Sequence, residues 1–134
     1  MGRIVISATP FVATGLAHEV RVGARAVSHA CQIAEAMRQE GRIGPTRKSD
    51  GSSVTLVDYT LQPLMIRWLL DRFPQDTIVA EERAISLYDL YPDNEGLRRI
   101  TREITQKGRV RMGNPLFWMD RQTDQLGPRT WVID

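Results

Sequence analysis

A layered mixed structure, α/β or α+β, is the fold class this sequence predicts, on three observations. Two long stretches, about 18–40 and 54–75, carry apolar residues at helical spacing. Two short stretches, DTIVA and TWVI, are rich in residues that favour strands. A charged, partly periodic connection lies between those strands. Helix, helix, strand, helix-bearing connection, strand is the order of a helical layer built on a sheet.

The bulk properties agree. At 134 residues the chain is long enough for one domain with a substantial core. It is 42% hydrophobic and 25% charged, ordinary for a globular protein. A net charge of +2 is too mild to argue for nucleic acid. The single cysteine, Cys31, excludes an internal disulfide and a cysteine-based zinc site. It fits a reducing compartment, and a cytoplasmic location is the expectation. No apolar run approaches the ~18 residues a membrane span needs. Residues 1–17 contain no acid and one basic residue, Arg3. They read as an N-terminal extension rather than a transit peptide, ahead of a domain over 18–134.

In the first helix, Val20, Ala24, Val27, Cys31, Ala34 and Met37 recur at spacings of three and four. Arg21, Arg25, Ser28, Gln32, Glu35 and Gln39 fall on the other side, so the first set is the expected core face. Cys31 is then core, and His18 and His29 are surface or boundary residues. Gly41 suits the left-handed position after a helix end. A polar loop, GRIGPTRKSDGSS, follows.

The second helix opens with Thr55 as N-cap and Asp58 three residues on. Leu61, Leu64, Met65, Trp68, Leu69 and Leu70 surround it, so it is buried on more than one side. Pro63 sits inside it and costs ~3 kcal/mol unless the helix kinks. Pro74 ends it. Thr77, Ile78 and Val79 make the first strand, with Glu81 and Glu82 at its C-terminal end. Alternation sends these two acids to opposite faces, so only one can serve a given site. Leu97, Ile100 and Ile104 mark a short amphipathic helix, supported by Glu95–Arg99 and Glu103–Lys107 pairs. From Lys107 to Gln125, Gly, Pro and mixed polarity predict a loop. Trp131–Ile133 is the last strand, with Asp134 at its tip.

Four acids, Asp50, Glu81, Glu82 and Asp134, lie in a loop or at strand ends. Magnesium takes oxygen ligands, commonly one or two carboxylates plus substrate phosphate. Two such ions orient a water and stabilise the leaving oxygen of a phosphate ester. The competing reading is ordinary solvated surface acids. The run Arg98, Arg99, Arg102, Lys107, Arg109 and Arg111 reads as a solvated face interleaved with acids. There is no Gly-rich phosphate loop, no GxSxG and no CxxC.

Three motifs together resemble one family. KSDGSSVTLVDYTLQ, FPQDTIVAEE and GPRTWVID are similar, in order, to segments of the inositol monophosphatase superfamily, and nearest to its 3′(2′),5′-bisphosphate nucleotidase branch. The opening helix, HEVRVGARAVSHACQIAEAM, also resembles that family's. The likeness covers about 18–85 and 127–134. The long, partly helical stretch between Glu81 and Asp134 is similar to the nucleotidase branch rather than the simple inositol monophosphatases.

The resemblance implies a layered, sugar-phosphatase-like fold, with two long helices packed on an incomplete sheet. It implies Mg²⁺ as cofactor, Glu81 and Asp134 as metal ligands, and Asp50 as the catalytic acid that helps activate water. The implied substrate is a small phosphate ester, adenosine 3′,5′-bisphosphate, losing its 3′-phosphate in a lithium-sensitive reaction of sulfur assimilation. Neither nucleic acid nor a membrane is an expected partner.

Several positions depart from the family pattern. Ser53 replaces proline and Ala80 replaces glycine. Pro63 replaces a helix former, and Arg83 puts a positive charge beside the metal position. Asp134 matches only the first residue of the family's Asp-Pro-Ile-Asp-Gly-Thr motif. The expectation is therefore an N-terminal part of such a phosphatase, incomplete and inactive alone. The alternatives are a degenerate, non-catalytic interaction or regulatory module that self-associates through exposed apolar surface, and an inositol phosphate phosphatase.

Overall fold

Three β-favouring segments, far apart in sequence, meet in one sheet. The computed structural model describes residues 4–8, 15–41, 46–47, 53–54, 56–121 and 127–134. Strands β1 (Ile4–Ala8), β4 (Thr77–Ala80) and β5 (Arg129–Ile133) lie in the order β1-β5-β4. β5 is central, antiparallel to β1 and parallel to β4. The segment read as an N-terminal extension thus supplies an edge strand. A two-residue hairpin ladder joins β2 (Thr46–Arg47), in the stretch read as a polar loop, to β3 (Ser53–Val54), where that stretch meets the one read as the second helix. Asp50 and Thr55 lie outside the described residues.

Helices α1 (Ala17–Gln39) and α2 (Leu56–Arg72) pack on each other and supply half of the buried apolar core, most of that from α2. The α2 sequence has apolar residues nearly all round, and twelve of its seventeen residues are buried. Pro63 is among them, and the helix runs through it. In α1 the buried stripe is Glu19, Gly23, Ala26, Ala30, Ile33 and Met37. Of the expected face, Met37 is buried and Val27 and Ala34 pack partly buried against the core, but Val20 and Ala24 are exposed and Cys31 is a surface thiol rather than a core residue. The reason is size. Gly23, Ala26 and Ala30 form the flatter stripe, which admits close helix approach, while Glu19 turns inward to pair with Arg129.

Between β4 and β5 the chain forms α3 (Ala84–Leu90), α4 (Glu95–Glu103), a π-helical turn (Ile104–Gly108) and α5 (Pro115–Met119). α4 follows the expected periodicity, with Leu97 packed on the core and Ile100 and Ile104 buried. Its Glu95–Arg99 and Glu103–Lys107 pairs form at 3.8 Å and 2.7 Å. The second pair is not a surface pair, because Glu103 is 1% exposed. Lys107 also reaches Glu40 at the end of α1, at 2.8 Å. Burial pulls the Lys107 ammonium down, but Glu103 and Glu40 outweigh it and hold the group above its ordinary range. The Lys107–Gln125 stretch is not wholly loop. Asn114 caps α5 by accepting from the Leu116 N–H at 3.0 Å, and Pro115 occupies the first turn.

The helices cover one face of the sheet. Ile78, Ala80, Trp131 and Ile133 are buried on that side. The register aligns Val5, Val132 and Val79 in one row on the opposite face, where Val5 and Val79 are 41% and 45% exposed. Among the described residues, no helix is long and apolar enough to cross a membrane.

Candidate functional site

β4 and β5 run parallel, and their last paired residues are Ala80 and Ile133. Glu81 and Asp134 therefore leave adjacent strands at their carboxyl ends, one position beyond the ladder. Neighbouring strands lie ~4.8 Å apart, so the two backbones emerge side by side. Both residues are exposed. Strand alternation puts them in series with Val79 and Val132, on the face not covered by helices. Glu82 goes the other way and is 3% exposed. The expectation that the acidic pair splits between two faces holds. Asp50, the third expected site residue, lies outside the described residues.

The backbone at this tip is clamped by a residue that sequence reasoning missed. Gln62 on α2 is buried. Its amide nitrogen donates to the Glu82 carbonyl at 2.8 Å and to the Met119 carbonyl at 2.9 Å. Its amide oxygen accepts from the Glu82 N–H at 2.7 Å. One side chain thus ties α2, the exit of β4 and the end of α5 together. The Ala84 N–H donates to the Asp120 carboxylate at 2.9 Å, fixing the next step of the chain. Tyr59 lies one turn before Gln62, fully buried, and burial followed by the Glu82 carboxylate pushes its phenol well up. A glutamine inside an apolar helix was the available signal, since a buried amide needs partners.

The opposite end of the sheet holds a second polar cluster. The Arg129 Nε–H donates to Asp76 at 2.9 Å, and its terminal nitrogen donates to Glu19 at 2.6 Å. The Trp131 indole N–H donates to the same Asp76 oxygen at 2.8 Å. Arg129 lies over the Phe73 ring at 4.6 Å, and Phe73 stacks on Trp131 at 5.4 Å. The Gly127 N–H donates to the Thr77 hydroxyl at 2.8 Å. A Cβ at Gly127 would stand 2.0 Å from the Gln75 carbonyl oxygen, so only glycine fits there. GPRTW is therefore a locking segment, holding β5 to α1 and to the α2–β4 turn. It positions Asp134 without approaching it.

Carboxylates are the right donors for a hard cation, and one or two of them are typical for magnesium. Glu81 and Asp134 fit in kind. The donor set is small, since among the described residues no group of three or more His, Cys, Asp or Glu could hold a metal. Arg83, exposed two positions past Glu81, adds positive charge near the tip. No protein-family model matches the chain, and no curated protein matches it.

Proposed function

We propose that this chain carries two metal-ligating carboxylates of a magnesium-dependent phosphomonoesterase. Glu81 and Asp134 are the ligands, Asp50 is the residue that helps activate water, and the 3′-phosphate of adenosine 3′,5′-bisphosphate is the group removed. The observation that supports it is the parallel pairing of β4 with β5, which sets Glu81 beside Asp134 at carboxyl strand ends. Three motifs in family order add the substrate class. Bound magnesium would polarise the phosphate and lower the pKa of a bound water. The chain's own part is to hold the two carboxylates in place through the Gln62 clamp and the Arg129 lock.

Two carboxylates at an exposed tip bind a divalent ion weakly, so the 134-residue chain is expected to turn over the bisphosphate at background rate. Manganese at millimolar concentration, followed by paramagnetic broadening of backbone amide signals, tests the ligand assignment. Broadening centred on 80–82 and 133–134, and lost in both Glu81→Gln and Asp134→Asn, is the expected result. Broadening elsewhere, or unchanged in both variants, overturns it. Magnesium-dependent, lithium-sensitive phosphate release from the purified chain would refute the expectation of inactivity.

The row of Val5, Val132 and Val79 favours a second reading, a non-catalytic interaction module. It predicts a concentration-dependent dimer in sedimentation experiments that Val79→Lys abolishes. A monomer at every concentration removes it.

A further inference from the structure

We infer that the groove between α1 and α2 binds a small molecule in which a phosphate-type anion is joined to a flat ring. The groove has a volume of about 320 Å³, within the range of small-molecule sites. Arg25, Ala26 and His29 line it from α1, and Trp68, Asp71 and Arg72 from α2.

Two features define the ligand. The first is charge. Arg38, Arg67, Arg99 and Arg129 each have a carboxylate partner. Arg25 and Arg72 have none among the described residues, like several other surface arginines such as Arg21, Arg98 and Arg102, but these two are exposed side by side at the groove. The acid in the wall, Asp71, is already held by the Arg67 Nε–H at 3.0 Å through both carboxylate oxygens. The uncompensated charge in the groove is therefore positive and comes from two guanidinium groups, whose fork suits phosphate oxygens. The second feature is a flat wall. His29 and Trp68 stack with centroids 4.6 Å apart and planes 14° from parallel. Both rings are half-buried, and the Trp68 indole N–H makes no hydrogen bond among the described residues.

The groove is separate from the strand tips. It flanks the end of α2 that leads into the start of β4, whereas Glu81 and Asp134 stand at the far ends of β4 and β5. The inference therefore stands independently of the phosphatase reading.

Phenyl phosphate, inorganic phosphate and phenol, each titrated into metal-free protein, test it. The signals of the Trp68 indole N–H and the His29 ring are followed by NMR. Saturable shifts at both are expected, with phenyl phosphate binding at least about tenfold more tightly than either half alone. Arg25→Gln and Arg72→Gln each weaken it by about tenfold, the loss of one charge-assisted hydrogen bond. Glu81→Gln leaves it unchanged. Both arginines are exposed, so the folded state survives, and unchanged amide spectra away from the groove verify that. Absence of saturation, equal binding of phenol, wild-type affinity in both arginine variants, or shifts centred on the strand tips would each overturn the inference.

Discussion

Replacing Asp76 tests the lock at the base of the sheet. Asp76 is 1% exposed, and one of its oxygens accepts from both the Trp131 indole and the Arg129 guanidinium, at 2.8 Å and 2.9 Å. Hydrogen bonds to a charged group contribute ~1.5–3 kcal/mol each. Removing one partner of a buried pair costs ~3–5 kcal/mol, because the other is left unpaired. Asp76→Ala strands the Trp131 N–H in the core and leaves Arg129 with Glu19 alone, so a loss of ~3–5 kcal/mol is expected. Asp76→Asn keeps one oxygen able to accept from both donors but removes the charge, and is expected to lose ~1–2 kcal/mol. Domains have ~5–15 kcal/mol in all, so the alanine variant stands near the folding limit. Urea unfolding, followed by tryptophan fluorescence and far-ultraviolet dichroism, reads the difference. With a slope of ~2 kcal/mol per molar urea, the alanine midpoint falls by ~1.5–2.5 M. A double-mutant cycle with Arg129→Met isolates the ion pair. An alanine variant within ~1 kcal/mol of the parent, or an asparagine variant as weak as alanine, refutes the reasoning.

Other substitutions probe neighbouring features. Gln62→Leu keeps the volume but removes the hydrogen bonds that Gln62 makes to the Glu82 N–H and to the Glu82 and Met119 carbonyls. It should cost ~3 kcal/mol or more in urea unfolding and speed hydrogen exchange at Glu82 before it affects β5. Gly127→Ala drives a methyl into the Gln75 backbone and should lower stability by ~3 kcal/mol. Gly108→Ala meets the Leu64 side chain first, at 2.9 Å, and should lose ~1–2 kcal/mol by thermal unfolding. The raised Tyr59 phenol contributes stability that is complete below the unfolded tyrosine pKa of ~10 and falls as pH rises above it. Absorbance at 295 nm should therefore show one of the three tyrosines ionising only as the chain unfolds.

What was legible in the sequence followed the strength of the local signal. The all-round apolar pattern of α2, the β-branched core of β4 and the period of α4 each carry one meaning, and the structure follows them. The face of α1 followed only in part, because a hydrophobic pattern ranks Val20, Val27 and Cys31 above the smaller residues that are buried. Gly23, Ala26 and Ala30 won through their small size, which a hydrophobic pattern ranks low. α3 and α5 have seven and five residues, too few to establish a period. The Asn114-Pro115 start of α5 was nonetheless a readable cap. β1 was hidden in a segment judged by its lack of acids, although Ile4, Val5 and Ile6 favour a strand. At the candidate site, the opposite directions of Glu81 and Glu82 followed from alternation alone. The side-by-side placement of Glu81 and Asp134 needed the strand register, which no local pattern contains. The Gln62 clamp and the Asp76–Arg129 lock are long-range pairings of ordinary residues, invisible until the fold brings them together.

The central position of β5 has a consequence for how the chain reaches this structure. Its ladder joins Ile4 to Ile133 and Thr77 to Thr130, so no strand of this sheet can pair with its neighbour through a local hairpin. Helices α1 and α2 can begin to pack while the sheet is still unformed, and closure waits for Ile4–Ala8 and Arg129–Ile133 to find each other. Such a search is slow, because loop closure costs entropy before any contact repays it. During that interval two β-rich segments stand unpaired beside a helical pair already seeking apolar cover. Crowding at that stage, rather than weakness of the finished fold, is where this chain is most exposed to aggregation.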